Sequence, residues 1–147
     1  MNGERDASVK WFANLGLRGD ELSFAELLPA VEMAWADGTV QPNERAMLSA
    51  YCETLVRQVN ERAGAERVRR DDALARLEKL LSRRLSPAER EGALWALRIW
   101  TKGPAGQAIR KRIVEWSEAV AVVDGSPSVD PREAFWLTTV KRTLEVG

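Results

Sequence analysis

Ala36-Asp37-Gly38-Thr39-Val40-Gln41-Pro42-Asn43-Glu44 is the stretch whose chemistry decides the fold. A glycine after an apolar run suits the left-handed geometry that ends a helix, and aspartate can bond the amides of a turn. Pro42 and Glu44 then fit the first and third positions of a new helix, where a missing N–H is harmless and a carboxylate is favoured. Val123-Asp124-Gly125-Ser126-Pro127-Ser128-Val129-Asp130-Pro131-Arg132-Glu133 repeats the order with two extra loop residues. Aligning Val40 with Val129 sets Gln41-Pro42-Asn43-Glu44 on Asp130-Pro131-Arg132-Glu133. The same alignment sets Met47-Leu48 on Trp136-Leu137 and Leu55 on Leu144. Two copies are too few for a solenoid, so the expectation is a pseudo-symmetric pair of helix-turn-helix units inside one domain. Gly38, Gly125, Pro42 and Pro131 are their structural hinge residues, and the hinges span 36–44 and 123–133.

Outside the hinges the pattern is helical. Ile109, Ile113, Trp116, Val120 and Val123 form one stripe after Pro104. Leu48, Tyr51, Leu55 and Val59 do the same after Pro42, as do Leu74, Leu77, Leu81 and Leu85 after Asp71-Asp72. Ser23-Phe24-Ala25-Glu26, Ser86-Pro87-Ala88-Glu89 and Asp130-Pro131-Arg132-Glu133 have the form of capping boxes. Pro29 should kink or restart the helix begun at Ser23. No sustained alternation marks a strand. The sequence therefore predicts an all-α bundle of about seven helices forming a single domain over 1–147, with its core over about 23–146. Six tryptophans, Trp11, Trp35, Trp95, Trp100, Trp116 and Trp136, are expected to pack that core.

Net charge is zero, but its distribution is uneven. Residues 20–53 hold seven acids against Arg45 alone, and residues 115–133 hold five against Arg132 alone, which predicts an acidic surface at both hinges. Residues 56–85 carry nine basic and five acidic side chains, and Arg110-Lys111-Arg112 adds a basic triplet. Those charges raise an acidic partner or nucleic acid, but pairing such as Glu66 with Arg70 makes a solvated helix face the preferred reading.

Histidine is absent, which removes the commonest general base and zinc ligand. Cys52, the lone cysteine, reads as a buried thiol, and no glycine-rich phosphate loop follows a strand. No catalytic constellation is visible, so a non-enzyme is expected, with a metal-assisted enzyme using hinge carboxylates as the alternative. Without a signal peptide or a spanning apolar run, the expectation is a cytoplasmic protein that does not enter membranes.

Asp37 to Glu44 matches the second half of a calcium-binding EF-hand loop, yet Met33 and Trp35 stand where its first ligands belong. If the hinges converge, Asp37, Glu44, Asp124 and Glu133 would bring four carboxylates together and call for a divalent cation such as calcium, manganese or magnesium.

Met33-Ala34-Trp35-Ala36-Asp37-Gly38-Thr39-Val40 with Glu44-Arg45 resembles the first hinge of the TerB-like tellurite-resistance domains, and Val123-Asp124-Gly125 with Glu133 resembles the second. The resemblance covers roughly residues 23–146. It implies an all-helical fold of about seven helices with internal pseudo-symmetry, an acidic metal-binding surface, and a place in bacterial stress responses. The partner it implies is another protein.

Overall fold

A computed structural model of the chain describes residues 3–36, 38–123 and 130–146. Seven α-helices are found among them: α1 (Gly3–Ala13), α2 (Leu28–Trp35), α3 (Pro42–Ala63), α4 (Arg70–Leu81), α5 (Pro87–Trp100), α6 (Pro104–Val122) and α7 (Pro131–Leu144), with a 3-10 segment, Gly19–Leu27, ahead of α2. No strand occurs among the described residues. The chain is all-helical, as its periodicity predicts.

Helix α2 is the hub. Every residue from Leu28 to Ala34 is buried, the mark of a helix enclosed by others rather than lying on a surface. It packs on α6, and also touches α3, α5 and α7. Helix α1 lies along α5, and α3 lies along α4. The first of these crossings is close because α5 has glycine at position 92: a β-carbon there would stand 2.6 Å from Trp11 Nε1. Phe12 and Leu17 are fully buried, so the core begins well before residue 23.

Three helices open on capping boxes. Ser86 Oγ accepts from the Glu89 amide at 3.1 Å while Glu89 Oε1 accepts from the Ser86 amide at 2.9 Å. Asp130 and Glu133 form the matching box on α7. On α3 the cap is Gln41, whose amide donates to Glu44 Oε1 at 2.8 Å. Gly38 has φ +99°, the backbone geometry that lets the chain turn there without a side-chain clash.

Ser23-Phe24-Ala25-Glu26 departs from the expected capping box. These residues lie inside the 3-10 segment, and the Glu26 carboxylate is drawn away to Arg112 and Tyr51. Pro29 restarts the chain as a helix rather than kinking one, because it sits in the first turn of α2. The expected pair of Glu66 with Arg70 also fails, since α4 begins only at Arg70. That arginine donates to Glu53 of α3 at 2.6 Å instead. Leu85, expected on the α4 stripe, is buried beyond the end of that helix.

Among the tryptophans, Trp136 is buried and Trp116 stacks on Tyr51 with ring centroids 4.6 Å apart. Trp95 is the exception to core packing, with 42% of its surface exposed. Among the described residues no helix is long and apolar enough to cross a membrane.

Candidate functional site

The two hinges are neighbours. Asn43 Nδ2, in the first turn of α3, donates to the Val123 carbonyl at the end of α6 at 3.1 Å, across 80 residues of chain. Of the four expected metal ligands, Asp37 and Asp124 lie outside the described residues, as does the hinge glycine Gly125. Glu44 and Glu133 are buried, and each carboxylate turns back onto the amide that precedes its own helix, Glu44 at 2.8 Å and Glu133 at 3.3 Å. Each thereby satisfies an amide that the helix cannot. Among the described residues, no three His, Cys, Asp or Glu side chains are grouped to hold a metal ion.

Part of the hinge acidity lies inside the fold. Glu26, Glu32, Glu44 and Glu133, four of the acids that gave residues 20–53 and 115–133 their charge, have only 2–6% of their surface exposed. The two arginines of the basic triplet turn inward, while Lys111 is exposed. Arg110 is buried and donates to Thr101 Oγ1, to the Leu144 carbonyl and to the Arg98 carbonyl, tying α5, α6 and the end of α7 together. Arg112 forks onto Glu26 with two bonds of 2.7 Å.

Beside the hinges lies an open pocket of about 370 Å³. Ala36 at the end of the first hinge helix and Pro131 and Arg132 at the start of the second contribute to its walls. Glu32 of α2, Arg84 of the α4–α5 loop, Arg90 of α5, and Phe135 and Trp136 of α7 complete them. The volume lies within the range of sites that hold small organic ligands.

Two helices fix its geometry. Trp136 Nε1 donates to the Pro29 carbonyl at 2.8 Å, which pins α7 against the first turn of α2. Phe135, the next residue back, then stands outward at the pocket with 76% of its surface exposed. Opposite, Arg90 Nη1 donates to the Leu85 carbonyl at 2.9 Å and comes within 3.9 Å of Glu32 Oε1.

Glu32 is the anomaly of this site. It has 3% of its surface exposed, and neither carboxyl oxygen has a hydrogen-bond partner among the described residues. Trp35 Nε1, one turn further along α2, is also buried without a partner among them. Burial pushes the Glu32 carboxyl up to about 7, and the Leu85 amide and the Arg90 and Arg84 charges pull it back only in part. The amide falls outside hydrogen-bonding geometry, so it offsets charge without satisfying an oxygen. A buried acid in this condition costs stability, and such groups concentrate at sites of function.

The arginines differ in what they spend. Arg132 is held by Asp130 of its own hinge, and Arg84 forms no ion pair among the described residues. Cys52, by contrast, offers no chemistry: its thiol is buried and is pushed up to about 11 by that burial and by Glu53. The chain matches no protein-family model, no curated protein and no solved structure.

Sequence reasoning assigned Glu32 to an acidic region and gave it no role. Its signal was present all the same: Glu32 is the single charge in Leu27-Leu28-Pro29-Ala30-Val31-Glu32-Met33-Ala34-Trp35, a run otherwise wholly apolar.

Proposed function

We propose that the protein is a non-catalytic interaction module of TerB-like build, and that it recognises an anionic partner in the pocket between its two hinges. The observation that carries this reading is the pocket rimmed by Arg84, Arg90 and Arg132, with the exposed Phe135 ring beside them. The exposed ring of Phe135 and the arginines are the side-chain types on which binding energy concentrates. What supports the TerB-like build is the seven-helix order with equivalent capping boxes at Gln41–Glu44 and Asp130–Glu133. Thermal unfolding with a panel of anionic and cationic aromatic compounds tests the site. Anionic members should raise the unfolding temperature of the wild type and leave Arg84→Glu unmoved; a cationic preference, or equal response of the variant, would sink the reading.

A second reading places a divalent cation between the hinges, held by Asp37, Glu44, Asp124 and Glu133. The adjoining of the hinges through Asn43 and Val123 supports it. Calorimetric titration with calcium, manganese and magnesium on wild type and Asp37→Ala decides it, and absence of heat in the wild type rejects it.

A further inference from the structure

The geometry points to a second binding site, apart from the hinge pocket, that takes a small amphiphilic anion: a carboxylate or phosphate head on a short hydrocarbon body. It is a cavity of about 240 Å³ at the junction of α1, the 3-10 segment, α3, α5 and α6, and it is more enclosed than the hinge pocket. The two pockets share no residue, so this inference stands apart from the function proposed for the hinges.

Charge sets the sign of the ligand. Arg5 of α1, Arg62 of α3, Lys102 of the α5–α6 turn and Arg112 of α6 line the cavity, and Glu26 is the acid on its walls among the described residues. Glu26 is already answered, since Arg112 meets both of its oxygens at 2.7 Å. Lys102 comes within 3.5 Å of Glu4, but both side chains are more than half exposed, and such a pair is weak in water. Arg5 and Arg62 form no ion pair among the described residues. Three cations from three elements therefore face one concavity whose carboxylate is spent on a fourth. Low-dielectric walls focus the field of such a cluster and concentrate anions there.

The remaining walls set the rest of the ligand. Leu55 is buried, and Val59, Trp100 and Ile109 are partly buried against the core, so one side of the cavity is apolar. A bare phosphate would leave that side in water. A hydrocarbon body covers it, and each methylene so buried is worth as much as roughly fourfold in affinity. The volume falls below the range of drug-sized sites, which limits the body to a short chain or a single ring. Ser23 and Gln58 add uncharged donors on the same walls for the head group.

The test is equilibrium dialysis of the full chain against octanoate, octyl phosphate, octanol, octylammonium and inorganic phosphate. Octanoate or octyl phosphate should bind at least roughly tenfold more tightly than octanol and octylammonium, the factor one charge-assisted bond supplies. Inorganic phosphate should bind at least roughly tenfold more weakly than octyl phosphate, for want of the apolar body. Binding of octyl phosphate without octanoate assigns a phosphate head, the reverse assigns a carboxylate, and binding of both shows a site that reads charge alone. Arg62→Glu, at an exposed position, should lose the preference for anions at unchanged circular dichroism, while Arg84→Glu at the hinge pocket should keep it. Retention of binding in Arg62→Glu, or its loss in Arg84→Glu, overturns this inference. So does octanol as tight as octanoate, inorganic phosphate as tight as octyl phosphate, or binding of none of the five.

Discussion

Glu26 and Glu32 lie six residues apart, are buried to the same degree, and live in opposite electrostatic circumstances. Glu26 receives both forks of Arg112 at 2.7 Å and the Tyr51 hydroxyl at 2.7 Å, so each oxygen is met. Glu32 has Arg90 no nearer than 3.9 Å and no hydrogen bond among the described residues. Equal burial thus says little about role; the bonds made after burial say more. A satisfied carboxylate is a joint between elements, here the 3-10 segment, α3 and α6. An unsatisfied one costs the fold stability and shifts toward its neutral form.

The harshest way to break this contrast is to strip Glu26 of its partner. Arg112→Ala should cost about 3 kcal/mol in urea unfolding, because it strands a buried carboxylate beside Tyr51. That places the unfolding temperature roughly 10 °C lower for a chain of this size. Tyr51 adds to the effect, since its hydroxyl is held well above the ordinary tyrosine range by burial and by Glu26. Replacing both partners, Glu26→Leu with Arg112→Leu, should recover most of the loss, as the stranded charge goes with its partner. A double variant no more stable than Arg112→Ala would mean the pair contributes more than mutual compensation.

Glu32 should respond with the opposite sign. Its folded carboxyl titrates at about 7 against an ordinary 4.5, so the folded state holds a proton that the unfolded chain releases. Stability linked to this group is fully present below pH 4.5 and is lost as pH rises through 7. At about 1.4 kcal/mol per pH unit the interval corresponds to roughly 3 kcal/mol. Glu32→Leu lacks that dependence, so its stability relative to wild type should climb between pH 4.5 and 7.5 and then level off. A difference between the two proteins that stays flat across this range would show that Glu32 is not held neutral by burial.

Phe135→Ser sharpens the contrast from the surface side. With 76% of its area already in water, the ring contributes little to folding, and the unfolding temperature should move by no more than about 2 °C. Its loss should nevertheless remove the aromatic face of the pocket, seen as a smaller rise in unfolding temperature with the anionic aromatic compounds. A stability change as large as that of Arg112→Ala would place Phe135 in the core instead.

How much of this was legible in the sequence depends on the range of the interaction. Capping boxes at Ser86 and Asp130 are local, each closed within four residues, and they are where the sequence puts them. The long helices after Pro42 and Pro104 follow their apolar stripes for the same reason. Charge was misleading because it was counted along the chain. Glu26 meets Arg112 across 86 residues, and Arg110 reaches the Leu144 carbonyl across 34, so neither residue's burial could be inferred from its neighbours. The pocket is harder still: Glu32, Arg84, Arg90 and Phe135 come from α2, a loop, α5 and α7, and no spacing rule connects them. Only the isolation of Glu32 in an apolar run offered a local hint.

The smallest expected effect concerns the bond that joins the two hinges. Asn43 Nδ2 reaches the Val123 carbonyl at 3.1 Å in an exposed setting, where water competes for both groups. Asn43→Ala should therefore cost only about 0.5 kcal/mol in overall stability. Its local consequence is larger than its energy, because this bond ties the start of α3 to the end of α6 beside the second hinge. Amide hydrogen exchange should rise in the first turn of α3 and the last turn of α6 while α2 stays protected, since α2 is enclosed on all faces. Faster exchange in α2 as well would mean that the hinges and the hub open together. In that case Glu26, fully bonded, and Glu32, unmet, would belong to one cooperative unit rather than two.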